Sequence, residues 1–259
     1  PPFTFGLQEL SKNITIASPS AAIAIEDTVF WMGSDTFYAY AGGQTQQLPC
    51  TVKEKVFLDF NFEESTKVHA GVNSEFSEIL WFYPTASSTE VDAYVAYNYL
   101  EKVWYYGTLA RQAWLDRGIR SLPLATGGQY LYNHEVGYDD DGSAMSSFVE
   151  TSPIDIADGE KFAFIKRIIP DITFNGSTAL SSPNATFTLK ARNFPGVNFT
   201  DTDTGTTSRT SISPVEAFTE KLDVRVRGRS FALRVASDAL GCKWKLGSPR
   251  IDVRQDGRR

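Results

Sequence analysis

Cysteine and histidine are scarce in this 259-residue chain, with two of each. Cys50 and Cys242 lie far apart and lack metal-ligand spacing, so they read as two buried thiols, with a disulfide as the lesser alternative. His69 and His134 are too few for a histidine-based metal centre, and their flanking residues form no Ser-His-Asp arrangement. No glycine loop of the phosphate-cradling kind is present. No apolar run approaches the ~18 residues of a membrane helix, so no membrane span is expected. The first residues, Pro1-Pro2-Phe3, carry no Met, basic segment or apolar leader. A fragment, a processed product or the ordered part of something longer is the expectation. No catalytic residue, cofactor or metal is assigned.

What is abundant is apolar and aromatic: 42% hydrophobic residues, 13% of the chain aromatic. That suits a folded protein of one large all-β domain or two smaller ones. The clearest pattern lies between Val68 and Gly118. Three apolar-aromatic runs, Glu78 to Tyr83, Ala93 to Tyr99 and Val103 to Leu109, are separated by two turn signals. Pro84 to Glu90 is the first, because Pro84 cannot continue a ladder. Leu100-Glu101-Lys102 is the second, short enough for a hairpin. Tyr94, Ala96 and Asn98 fall on one face, and Val95, Tyr97 and Tyr99 on the other. The reading is an antiparallel meander, one propeller blade or one sheet of a sandwich.

Upstream, Thr4 to Ile16 is a lead-in and Ala21 to Ile25 a first strand. Thr28 to Gly33 and Thr36 to Ala41 form a hairpin closed by Gly42-Gly43, and Gln44 to Pro49 adds a short strand. Val52 to Phe60 has its apolar residues at helical spacing and predicts a short helix on the sheet edge. Downstream, Arg111 to Arg117 reads as a helical turn or a loop. Leu122 to His134 is strand, turn and strand, and Met145 to Glu150 another strand. The same unit thus recurs, unevenly, near 28–41, 79–109 and 122–149, at about the spacing of propeller blades.

The texture changes from Pro153, and a boundary is placed near residue 152, between a propeller-like region 1–152 and a β-rich region 153–259. Lys161 to Ile169, Ala185 to Arg192, Leu222 to Val226 and Ser230 to Val235 alternate with period two. Phe199 to Ser213 is a Thr/Ser/Asp/Gly-rich stretch expected to be an exposed, mobile loop. Lys243 to Val253 is expected as a closing strand pair. The fold class is therefore all-β: propeller-like antiparallel meanders followed by sandwich-like or propeller-closing strands.

The net charge of −6 is unevenly spread. Residues 209–259 carry 12 Lys and Arg against 6 Asp and Glu, so the rest is strongly acidic. Such a basic end suits nucleic acid or an acidic partner surface, and an exposed strand face with alternating arginines is the plainer reading. Asp139-Asp140-Asp141-Gly142 lacks the alternation of a calcium loop and reads as an acidic turn. Glu78, Glu90, Asp92 and Asp116 are the acids considered for a glycosidase pair, and loop positions are the preferred reading. Trp81, Tyr83, Tyr97, Tyr99, Trp104, Tyr105 and Tyr106 are assigned mainly to the core, with a sugar-stacking face as the rival. The sequons at Asn13, Asn175, Asn184 and Asn198 are read as chance.

Several blocks, V-F-W-M-G (29–33), F-Y-A-Y-A-G (37–42), L-P-C (48–50), W-F-Y-P (81–84), Y-V-A-Y-N-Y (94–99), A-W-L-D-R-G (113–118) and L-G-S-P-R-I-D-V-R-Q-D-G-R-R (246–259), resemble virion proteins of tailed bacteriophages. They are similar to the C-terminal part of tail nozzle, hub or packaged-DNA stabilisation proteins. The resemblance spans most of the chain to about Pro170 and the last twenty or so residues, and it contains no catalytic signature. It implies a propeller-rich ring subunit, commonly six-fold, in the virion tail. Other tail proteins (adaptor, fibres or spikes) would be its neighbours, and viral DNA would pass through it. An acidic lining would let a duplex slide, while Arg225, Arg227, Arg229 and Arg234 would contact a neighbour's acidic face. The alternative is a carbohydrate-binding or glycoside-cleaving β-propeller for host-surface contact.

Overall fold

The structure, a computed structural model, describes residues 9, 11–156, 159–178, 184–194, 197, 199 and 209–257. Much of the expected loop at 199–213, the Asn198 sequon and part of the lead-in at 4–16 lie outside the described residues. The protein is all-β, built from several antiparallel sheets, with one short α-helix and one 3-10 helix among the described residues. No helix is long and apolar enough to cross a membrane.

The chain divides into two compact units between Val136 and Gly137. The N-terminal unit opens with a four-stranded meander: β1 (Ala22–Ile25), β2 (Thr28–Met32), β3 (Phe37–Ala41) and β4 (Gln44–Leu48), paired in chain order. Helix α1 (Lys53–Leu58) buries Val56, and a 3-10 helix (Phe62–Lys67) follows, its Asn61 side chain accepting from the Glu63 N–H. A second four-stranded meander, again in chain order, comprises β5 (His69–Asn73), β6 (Glu78–Tyr83), β7 (Ala93–Asn98) and β8 (Val103–Thr108).

The turns of this meander are chemically explicit. Asp92 closes the Pro84 turn by accepting from both the Thr85 N–H and its hydroxyl at 2.8 Å. The Asn98 side chain accepts from Leu100 and Glu101 N–H, and Lys102 takes the left-handed conformation (φ 57°) that reverses the chain.

Alternation gives the second meander two buried faces. Ile79, Trp81, Val95, Tyr97 and Trp104 join Met32 and Phe37 of the first meander in the main core. Phe37 packs 5.0 Å from Trp81 and 4.6 Å from Trp104, centroid to centroid. Both indoles also have polar partners: Trp81 donates to the Ala21 carbonyl at 2.9 Å and Trp104 to the Pro49 carbonyl at 2.8 Å. Leu80, Phe82 and Ala96 face the other way, with Tyr94 and Trp114 against them.

Trp114 belongs to β9 (Ala113–Leu115), which pairs with β10 (Leu124–Gly127), itself paired with β11 (Tyr130–Asn133). The helical turn or loop expected at 111–117 therefore carries a three-residue strand at its centre. The indole docks on Gly71 and donates to the Val72 carbonyl at 2.7 Å, which holds the segment extended.

In the C-terminal unit, β12 (Ser147–Glu150), β13 (Ile154–Asp155), β14 (Ala163–Ile169) and β15 (Ile172–Thr173) come first. They are followed by β16 (Ala185–Arg192), β17 (Thr210–Val215), β18 (Leu222–Gly228), β19 (Ser230–Ser237), β20 (Lys245–Leu246) and β21 (Arg250–Gln255). One sheet runs β12-β19-β16-β17, with β13 also on β19, and another runs β18-β14-β21. Phe187 and Leu189 of the first and Ile165, Val224 and Val226 of the second meet in one core.

Two expectations change here. The strand at 147–150 does not extend the 122–134 unit, because it pairs with β19; the compact units accordingly divide ahead of residue 152. The closing pair at 243–253 is not a pair: β20 bonds to β15 and β21 to β14.

Candidate interaction surface in the C-terminal unit

The chain leaves β18 and enters β19 through Arg229, crossing from the three-stranded to the five-stranded sheet. Gly228 makes the crossing tight, since a β-carbon there would lie 2.8 Å from the Ala191 Cβ. The Arg229 N–H donates to the Arg192 carbonyl at 2.9 Å. The four arginines singled out in the sequence radiate from this crossing, and they do not form one patch.

Arg227 and Arg229 do converge. Their guanidinium carbons lie 4.0 and 4.8 Å from the centroid of Phe162, a buried ring immediately before β14. Arg227 is also paired with the Asp256 carboxylate and donates to its carbonyl at 3.2 Å.

Arg234 stands apart, on the β12-β19-β16 sheet. It donates to Glu150 Oε2 at 3.2 Å, Lys190 takes Oε1 at 2.7 Å, and the guanidinium lies 3.8 Å over Phe148. Burial pushes the Glu150 carboxyl up, yet hydrogen bonds and charge from Lys190 and Arg234 outweigh it and hold the group below the ordinary glutamate value.

Arg225 differs again. It is exposed and sits at φ 53°, left-handed for a bulky residue, where β18 carries a bulge against β14. It lines an open cleft with Arg209, Thr210, Ser211 and Arg227. Arg209 and Phe162 were not legible as site residues, because one follows a Ser/Thr-rich stretch and the other joins the arginines only through tertiary pairing.

The acids weighed for catalysis are not brought together. Glu90 pairs with Lys67 at 2.8 Å, Asp92 closes its turn, and Asp116 accepts from the Ser74 and Arg117 N–H groups at 3.2 and 2.8 Å. Glu78 instead accepts from the Tyr105 hydroxyl and faces Glu135, which accepts from Asn73 Nδ2 at 2.8 Å. Burial pushes both carboxyls above the ordinary glutamate value and carries the Tyr94 hydroxyl up to about 12. That polar cluster closes one end of the β5–β8 sheet, and Glu135, far along the chain, was missed.

The remaining candidates are structural. Asp139 accepts from the Gly142 N–H at 3.0 Å, the geometry of a turn. Among the described residues no group of three or more His, Cys, Asp and Glu is arranged to hold a metal. His69 stacks on Phe82 with burial lowering its pKa, and His134 Nε2 accepts from Arg111 Nε at 2.9 Å. Both cysteines are unbridged and half-buried, and burial carries Cys50 up to about 11. Trp81, Tyr83, Tyr97 and Trp104 are in the core, leaving Tyr105 and Tyr106 as the more exposed of the aromatics considered for sugar stacking.

No protein-family model matches the chain, and no curated protein is similar enough in sequence to match it.

Proposed function

We propose that this chain is a non-enzymatic structural subunit of a bacteriophage tail, part of a nozzle or hub ring in the virion. In this reading it contacts neighbouring copies and other tail proteins, and it lines or closes the passage for viral DNA. The two successive four-stranded meanders would be propeller-like blades, and the C-terminal sheets, with their shared core, a small sandwich.

The observation that carries the reading is strand β21. It contains six of the fourteen residues of the closing block of the phage resemblance, all six are exposed, and among the described residues it pairs only with β14. An open edge offers backbone donors and acceptors to a neighbouring chain, and Arg250 and Arg254 on one face with Ile251 and Val253 on the other suit a mixed polar and apolar contact.

Light scattering on the protein, alone and mixed with other tail proteins, tests this. A ring-sized oligomer, or a monomer that assembles only with those partners, is expected. A monomer that ignores them would overturn the reading.

A further inference from the structure

We propose that the cleft between β17 and β18 is a binding site for a phosphate group. The cleft has a volume of about 350 Å³, and Arg209, Arg225 and Arg227 line it together with Thr210, Ser211, Val224 and Val226. Among the described residues no aspartate or glutamate is in that lining. Among the described residues the Arg225 guanidinium has no hydrogen-bond or ion-pair partner, and it projects from a backbone held at φ 53°. Left-handed backbone at a bulky residue persists where the surroundings impose it, and such positions concentrate at binding sites.

Arg209 is oriented by its bond to the Asn193 side-chain oxygen, and its carbonyl is fixed by the Ala191 N–H at 3.0 Å. Arg227 is anchored against Phe162 and Asp256, the acid that balances part of its charge. Two arginines are thus set in place while the third reaches out. Guanidinium forks match the oxygens of a tetrahedral oxyanion, and a dianionic phosphate balances three cations better than a single carboxylate does. Free phosphate, a phosphate monoester and a nucleic-acid backbone share this chemistry. The proposal stands apart from the tail reading, since it concerns one cleft of one unit.

Calorimetric titration of the whole protein with inorganic phosphate, and separately with a short DNA duplex, tests it, with sodium chloride matching ionic strength. Saturable phosphate binding is expected, weakened about tenfold or more in Arg225→Gly, which keeps the backbone conformation, and in Arg209→Gln. Arg234→Gln, outside the cleft, should bind as wild type. Duplex binding that is lost in Arg225→Gly, without response to free phosphate, would support the same chemistry on a phosphodiester. No saturable response to either ligand, equal binding by Arg225→Gly, or weakening that only Arg234→Gln produces, as expected of an acidic protein partner's surface, would overturn it.

Discussion

Trp114 lies so close over Gly71 that a β-carbon built on the glycine would sit 2.5 Å from the indole Cδ1. The glycine is therefore a socket, and strand β9 is held to the second meander by the ring that fills it. Gly71→Ala should destabilise the N-terminal unit by about 1–3 kcal/mol, the usual range for forcing extra volume into a packed site. Urea unfolding followed by tryptophan fluorescence would measure it. An unchanged midpoint would mean that the ring moves aside freely.

The same contact marks the limit of what the sequence could reveal. Strands β6, β7 and β8 were legible because alternation, Pro84 and the 100–102 turn are local signals that read the same in any context. Residues 111–117 carry no such signal: Trp114 becomes part of a strand because Gly71, far back in the chain, leaves room for it. Likewise β12 looks like a continuation of β10 and β11 until β19, much later in sequence, takes it as a partner. At the candidate surface, the arginines themselves were visible in the text. Their sorting was not, because Phe162, Glu150 and Arg209 reach them only through sheet pairing.

Glu78 should make the N-terminal unit more stable in mild acid. Burial, followed by the charge of Glu135, raises its carboxyl despite the Tyr105 hydrogen bond, so the folded state binds its proton more tightly than the unfolded chain does. The resulting stabilisation is complete below the ordinary value of 4.5 and is lost as pH rises through the folded value. Glu78→Gln, which cannot ionise, should flatten that slope and raise stability at neutral pH. Denaturant midpoints from about pH 4 to about pH 8 would decide it, and parallel slopes would count against the argument.

Glu150 should act in the opposite sense in the C-terminal unit. Lys190 and Arg234 hold its carboxyl below the ordinary 4.5, so its contribution is present above that value and is lost as pH falls through the folded one. With both cations partly shielded, Glu150→Gln should cost about 1 kcal/mol at neutral pH and nothing once the carboxyl is protonated. Hydrogen exchange of the β12 and β19 amides reports this locally. Equal losses at both extremes of pH would mean that shape, not charge, holds the pair.

Arg225 sets stability against binding. Its left-handed backbone suits glycine, and relieving such a position is worth about 1–3 kcal/mol, offset in part by the greater freedom of an unfolded glycine. Arg225→Gly should therefore stabilise the C-terminal unit by about 1 kcal/mol in the absence of added anion. Excess phosphate should stabilise the wild type more than the variant, since a ligand raises stability according to its affinity for the folded state. Thermal unfolding of both proteins, with phosphate and with chloride at matched ionic strength, separates the two effects. If the glycine variant melted lower in chloride, the arginine side chain would be supporting the bulge, and the strain at φ 53° would need a packing explanation in place of a functional one.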